Sequence, residues 1–137
     1  MELTIRKLTE KDWGTLVDMW NSWPEWKDKA PTKDLLPENG TGGYVVEKNG
    51  EAITAGFMYT TNSKVAWLEW VVSKRDYRGD DRKEALELLI KGIEHVAISS
   101  GFNIILSIAR NKGLINTFKE LDYSVDENSS FEVIKKI

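Results

Sequence analysis

The stretch Trp70–Gly79, WVVSKRDYRG, joins an apolar segment to an amphipathic one, and it decides the predicted fold. Before it, Val65–Val72 is rich in aromatic and β-branched residues, which favours a strand. After it, apolar residues recur at helical spacing in a segment that Gly101 ends: Ala85, Leu88, Leu89, Gly92, Ile93 and Val96. Asp81 and Glu84 are spaced like a capping box. The pattern therefore predicts a strand, a polar loop and a long helix, in that order.

An antiparallel meander is predicted on the N-terminal side of this stretch. Tyr44–Lys48 and Glu51–Thr60 flank Asn49-Gly50, a strong hairpin signal because a tight turn needs positive φ at both central positions. A second turn at 61–64 leads into the strand Val65–Val72, which makes three consecutive antiparallel strands.

The N-terminal part predicts one more strand, a helix and a long loop. Leu3, Ile5 and Leu8 bracket the strand, and the helix that Pro24 ends carries an apolar face: Trp13, Leu16, Val17 and Trp20. Residues 24–43 hold all three prolines, and loops of this length inside domains are often binding loops or lids.

The C-terminal part predicts a strand at Asn103–Ile108, a helix at Lys112–Leu121 and final strands at Phe131–Ile134 and Tyr123–Val125. A meander followed by a β-α-β unit implies a mixed sheet with helices on both faces. We therefore expect an α/β (α+β) fold with a central sheet of about six to seven strands, formed by residues 1–137 as a single domain.

Composition excludes several classes of function. With 41% apolar residues the chain can bury a core, and its net charge of −3 disfavours nucleic acid as a partner. There is no cysteine and only one histidine, so disulfides, a cysteine nucleophile and metal sites built on these residues are not expected. No secretory signal or membrane-length apolar run is visible, which predicts a cytoplasmic protein without a membrane partner.

Two segments resemble the GCN5-related N-acetyltransferases (the GNAT family). In that family a Pro-Glu-Tyr-Arg-Gly loop leads into Arg-x-x-Gly-x-Gly/Ala at the start of a helix, and Tyr77-Arg78-Gly79 stand in the matching place. The family's last helix reads Asn-x-x-Ala-x-x-Leu-Tyr-Glu-Lys-Leu-Gly-Phe, with which Asn111, Leu121 and Tyr123 agree. Gly50-Glu51 through Gly56-Phe57 also resemble a family hairpin. The resemblance implies the GNAT-like fold and an acetyl-CoA-dependent N-acetyltransferase.

By this resemblance, acetyl-CoA would lie between Val65–Val72 and Asn103–Ile108. The pantetheine arm would bind backbone groups near Val71 and Val72, with Asn111 and Phe118 also at the cofactor. The pyrophosphate would lie on the helix start, in the turn Arg78-Gly79-Asp80-Asp81-Arg82-Lys83. Two family glycines are replaced there by Asp81 and Lys83, and an Asp81 carboxylate that caps the helix would occupy N–H groups that the phosphate needs.

The resemblance also implies the catalytic and acceptor residues. Glu69 is the candidate general base, and it equally fits a solvent-facing strand residue. The family's acid is a tyrosine where this chain has Phe118, so Tyr123, Tyr59 or water would have to protonate the leaving thiolate. The acceptor would be a small-molecule or peptide amine, held by residues that include Trp26, Tyr59 and Trp67.

Two other hypotheses also fit the sequence. One is a catalytically inactive GNAT-like domain that binds a partner or small molecule without CoA, which Asp81, Lys83 and Phe118 favour. The other is a structural or oligomerisation module such as a homodimer, because strand edges in this fold often pair between chains.

Overall fold

A computed structural model of the protein describes residues 2–128 and 130–137. In these residues, three α-helices and five strands follow one another: β1 Thr4–Lys7, α1 Trp13–Asn21, β2 Gly43–Lys48, β3 Glu51–Thr60, β4 Val65–Ser73, α2 Arg82–Ser99, β5 Ile104–Leu106 and α3 Lys112–Glu120. Single helical turns at Lys33–Leu35 and Pro37–Gly40 interrupt the long loop between α1 and β2. None of the described helices combines the length and apolarity that a membrane crossing requires.

The five strands form one mixed sheet in the order β1-β2-β3-β4-β5. The first four are antiparallel neighbours, whereas β4 and β5 run parallel, joined by α2. This arrangement confirms the predicted meander, the predicted β-α-β unit and the mixed sheet.

Two apolar clusters cover the two faces of the sheet, which confirms that helices pack on both sides. On one face, Leu16, Met19 and Trp20 of α1 pack with strand residues that include Phe57. On the other face, residues of α2 and Phe118 of α3 pack with Val46, Ile53 and Leu68. The alternation of side chains along each strand supplies both clusters.

The predicted strands at Tyr123–Val125 and Phe131–Ile134 are wrong, and the described sheet therefore has fewer strands than expected. Tyr123 packs against Phe118 instead, with ring centroids 4.7 Å apart, and its hydroxyl donates a hydrogen bond to Glu94 of α2. Phe131 and Val133 are 91% and 92% exposed. A strand needs a neighbour for its backbone groups, and composition alone does not supply one.

Asp122 ends α3 in a left-handed conformation with φ of +69°. Glycine adopts this conformation without the steric cost that a Cβ brings. We therefore expect Asp122→Gly to raise the free energy of unfolding by about 1 kcal/mol in urea denaturation. The control is Ser124→Gly at a nearby exposed position without positive φ, which should be neutral or slightly destabilising. An equal gain from both variants would contradict the conformational explanation.

Candidate functional site

A cleft of about 1770 Å³ opens where β4 and β5 separate. The two strands pair only from Val65↔Ile104 to Trp67↔Leu106, and β4 then continues alone to Ser73. Ser107 Oγ makes a last link by donating to Leu68 O. Beyond that point the cleft is bounded by β4, the segment after β5, the N-terminal part of α2, one side of α3 and the loop that follows α1.

Most of the site residues predicted from the sequence line this cleft. They are Trp26, Tyr59, Trp67, Glu69, Val71, Val72, Asp80, Arg82, Lys83 and Asn111. The structure does not bring the remaining predicted residues into the lining, and these are Arg78, Gly79, Asp81, Phe118 and Tyr123.

Glu69 is half-buried and lines the cleft. Its pKa is raised from 4.5 to about 7, chiefly by burial and to a smaller degree by the nearby charge of Glu132. The N–H of Ile108 donates to Glu69 Oε1 over 3.1 Å and opposes this rise, as does the charge of Arg110. No salt-bridge partner of Glu69 is found in the described part of the chain. A carboxyl group that titrates near neutral pH in a cleft is suited to general base catalysis.

A β-bulge follows Glu69 directly. The register runs from Phe57↔Glu69 to Ala55↔Val72, so Trp70 and Val71 on β4 face the single residue Gly56 on β3. Trp70 adopts φ of +59°, which is unusual for a bulky residue. The bulge interrupts the ladder and leaves backbone polar groups of β4 without strand partners beside the cleft.

Trp70 is held in this conformation by Tyr59 of β3 and by the loop between α1 and β2. Its Nε1 donates to the Tyr59 hydroxyl over 2.9 Å, and that hydroxyl donates to Leu35 O over 2.8 Å. The ring of Trp26, in the loop after α1, lies 5.5 Å from the Trp70 ring. These contacts offset the backbone strain, which costs on the order of 1–3 kcal/mol.

The expectation that the Asp81 carboxylate caps α2 is wrong. Asp81 occupies the N-cap position, but its side chain makes no capping hydrogen bond. Oδ2 instead accepts from Lys48 Nζ over 2.7 Å, and Oδ1 accepts from the Tyr77 hydroxyl. These bonds lower the pKa of Asp81, so it is a carboxylate near neutral pH. Within residues 2–128, the N–H groups of Lys83 and Glu84 at the helix start donate to no protein acceptor.

The three cations among residues 78–83 differ in whether a protein group already binds them. Arg82 lines the cleft, donates to Tyr77 O over 2.8 Å and lies 5.9 Å from the ring of Trp23, yet it forms no salt bridge with the described residues. Lys83 is paired with Glu120 of α3. Arg78 folds back onto the carbonyl of Arg75, away from the lining.

The other predicted cofactor residues have structural partners. A Cβ on Gly79 would lie 2.5 Å from the Tyr77 hydroxyl, so this glycine gives room for the contact between Tyr77 and Asp81. Asn111 caps α3 by accepting from the Leu114 N–H over 3.1 Å, while it also lines the cleft. Phe118 is 4% exposed in the apolar cluster under α2.

Several residues of the site escaped the sequence analysis. They are Trp70, Ile108, Arg110 and Glu132, of which the last two form a salt bridge of 3.0 Å at the cleft. For the bulge at Trp70, the sequence signal was Gly56, because a glycine inside a strand often marks a bulge on the strand or its partner. In the described residues, no group of three or more acidic or histidine side chains is arranged to hold a metal ion.

Comparison with known proteins identifies the fold. No protein-family model matches the chain, and no curated protein matches it in sequence. N-acetylglutamate synthase from Neisseria gonorrhoeae, solved with coenzyme A and N-acetyl-glutamate, aligns with a TM-score of 0.70 and 14% identity over 88% of this chain, which spans only 28% of that protein. An aminoglycoside acetyltransferase from an uncultured soil metagenomic sample, solved with sisomicin, aligns with a TM-score of 0.72 and 12% identity over 98% of this chain and 97% of that one.

A protein described as a transcriptional regulator from Bacillus halodurans C-125 aligns as well, with a TM-score of 0.69 and 16% identity over 97% of this chain and all of its own. The chain therefore has the GNAT acyltransferase fold, as the resemblance around WVVSKRDYRG predicted. Proteins of one fold differ in activity, so function has to be argued from the cleft.

Proposed function

We propose that this chain is an acetyl-CoA-dependent N-acetyltransferase in which a primary amine attacks the acetyl group directly. The observation that carries the proposal is Glu69: a half-buried carboxyl group, without a cationic partner in the described residues, with its pKa raised to about 7. It lies in the cleft between the separating strands and next to a bulge that exposes backbone groups.

The residues present fit acetyl-CoA. The unpaired N–H groups of Lys83 and Glu84 and the positive end of the α2 dipole suit a pyrophosphate, and Arg82 adds a cation that no described carboxylate neutralises. Asp81 does not compete for these N–H groups, because Lys48 and Tyr77 hold its carboxylate. The cleft also has the volume for a ligand of this size.

When bound, acetyl-CoA supplies the acetyl group as a reactive thioester. The backbone of the bulge near Val71 offers hydrogen bonds to the acyl end, which is where negative charge develops. Glu69 takes the proton from the amine nitrogen during attack. Proton return to the sulfur is assigned to water, because the Tyr59 hydroxyl donates to Leu35 O and the Tyr123 hydroxyl donates to Glu94. Acetyl-CoA is an intracellular metabolite, so the proposed reaction belongs in the cytoplasm.

Calorimetric titration with acetyl-CoA tests the proposal. Arg82→Gln is expected to weaken binding about 10- to 100-fold, because a charge-assisted hydrogen bond to phosphate is lost. Lys91→Gln removes an exposed charge elsewhere on α2 and should leave affinity unchanged within about twofold. Absence of acetyl-CoA binding to the unmodified chain, or equal effects of the two variants, would contradict the proposed site.

The second candidate is a GNAT-like domain that binds a ligand without CoA. The salt bridge between Lys83 and Glu120 favours it, because this pair joins α2 to α3 across the cleft lining. Phe118, which replaces the family's tyrosine, favours it too. Failure of acetyl-CoA to bind even after Glu120→Gln removes the pair would support this candidate.

A further inference from the structure

The lining of the cleft includes four aromatic side chains, Trp26, Tyr59, Trp67 and Trp70, which we call the aromatic wall. All four are only half-buried. Trp67 and Tyr59 are direct cross-strand partners, and Trp26 lies against Trp70. The wall adjoins Glu69, which follows Trp67 by two residues on the same strand. A group attached to an amine nitrogen at Glu69 would therefore lie beside aromatic side chains.

Two polar atoms of the aromatic wall are already hydrogen-bonded within the protein. Trp70 Nε1 and the Tyr59 hydroxyl bond to each other, and the Tyr59 hydroxyl also bonds to Leu35 O. These bonds fix two of the rings and leave mainly their apolar surfaces toward the cleft. Such surfaces bind flat, apolar groups by stacking and edge-to-face packing.

The charges of the cleft lining are balanced. Five carboxylates and five cations line the cleft, so it offers no excess of negative charge to a ligand with several ammonium groups. Glu132 is already paired with Arg110 at 3.0 Å. Glu69 is therefore the one half-buried carboxylate in this group without a cation, and a ligand with several ammonium groups would find too few partners for them.

We infer that the acceptor is a small monoamine whose single amino group is attached to a flat apolar or aromatic body, and not a polyamine or polyamino sugar. This inference rests on the proposed function, since it identifies the substrate class of the same cleft. The amino group lies at Glu69 and the body lies on the aromatic wall.

Steady-state release of free CoA from acetyl-CoA compares tryptamine with spermidine and sisomicin. The expected kcat/KM for tryptamine exceeds that for either polyamine by about tenfold or more. Trp26→Ala is expected to raise KM for tryptamine about threefold to tenfold with little change in kcat, and Trp26→Phe should restore most of the loss because it keeps an aromatic face.

Direct titration without acetyl-CoA separates this inference from the proposed function. Tryptamine should bind more tightly than spermidine and more tightly than tryptophol, which has the same indole body but no amine. If acetyl-CoA is used but spermidine or sisomicin is the better acceptor, the inference is overturned and the acetyltransferase function stands. If acetyl-CoA does not bind, the proposed function fails, and the order of amine affinities still decides the inference: equal or tighter binding of spermidine overturns it.

Discussion

Glu69→Gln is expected to lower kcat/KM for acetyl transfer about 100- to 10,000-fold, because the amide cannot accept the proton of the attacking amine. In the unmodified chain, kcat/KM should rise with pH through about 7, as Glu69 becomes a carboxylate. The variant should lose this step and keep only the rise that belongs to the amine itself. Measurement of kcat/KM from about pH 5.5 to 9 tests both expectations.

The control is Glu87→Gln, which changes a half-buried carboxyl group on α2 outside the cleft. It should leave kcat/KM and the pH profile unchanged. A Glu69→Gln variant that retains the pH step at about 7 would show that another group is the base.

Glu69→Gln is expected to raise the stability of the protein although it lowers its activity. Because the pKa of Glu69 is raised from 4.5 to about 7, the folded state binds more protons than the unfolded state between these values. Stability therefore falls as pH rises through this interval, and the cost is complete above about pH 7. We expect Glu69→Gln to stabilise the protein above this pH by on the order of 1–3 kcal/mol, reduced by partial exposure, and to have no such effect at about pH 4. Urea denaturation at both pH values measures this difference.

The largest expected loss of stability comes from Trp20→Ala, at about 3–5 kcal/mol. Trp20 is fully buried, stacks on Phe57 with centroids 6.1 Å apart and contacts the edge of Trp13. Its truncation opens a cavity at the junction between α1 and the sheet. The midpoint of urea denaturation measures the loss, which is a large part of the 5–15 kcal/mol typical of a small domain.

Trp20→Phe separates packing from hydrogen bonding at this position. Trp20 Nε1 is buried without a hydrogen-bond partner among the described residues, and an unsatisfied donor costs about 1–3 kcal/mol. Phenylalanine removes that donor and keeps an aromatic ring on Phe57. We therefore expect Trp20→Phe to cost much less than Trp20→Ala. Equal losses from the two variants would contradict this expectation, because they would show that the phenyl ring recovers none of the packing lost with the indole.

Patterns that depend on neighbouring residues were predicted well from the sequence. Local backbone preferences explain the Asn49-Gly50 hairpin. Burial of one face of each element explains the periodicity of α2 and the order of the elements through α3. The same order placed Glu69 on the strand that borders the cleft. The segment Phe131–Ile134 is also locally strand-like, yet it forms no strand, because pairing requires a partner that no local pattern supplies.

The tertiary structure alone decided the details that give the cleft its chemistry. Asp81 looked like a helix cap, but Lys48, distant in sequence, takes its carboxylate, since a charge-assisted bond competes with the helix N–H groups. Trp70 adopts positive φ against its own preference, because the register between β3 and β4 leaves two residues opposite Gly56. The raised pKa of Glu69 likewise arises from burial by the surrounding chain. The sequence by itself thus determined which elements form and in what order, whereas long-range packing decided which charges are paired, buried or free.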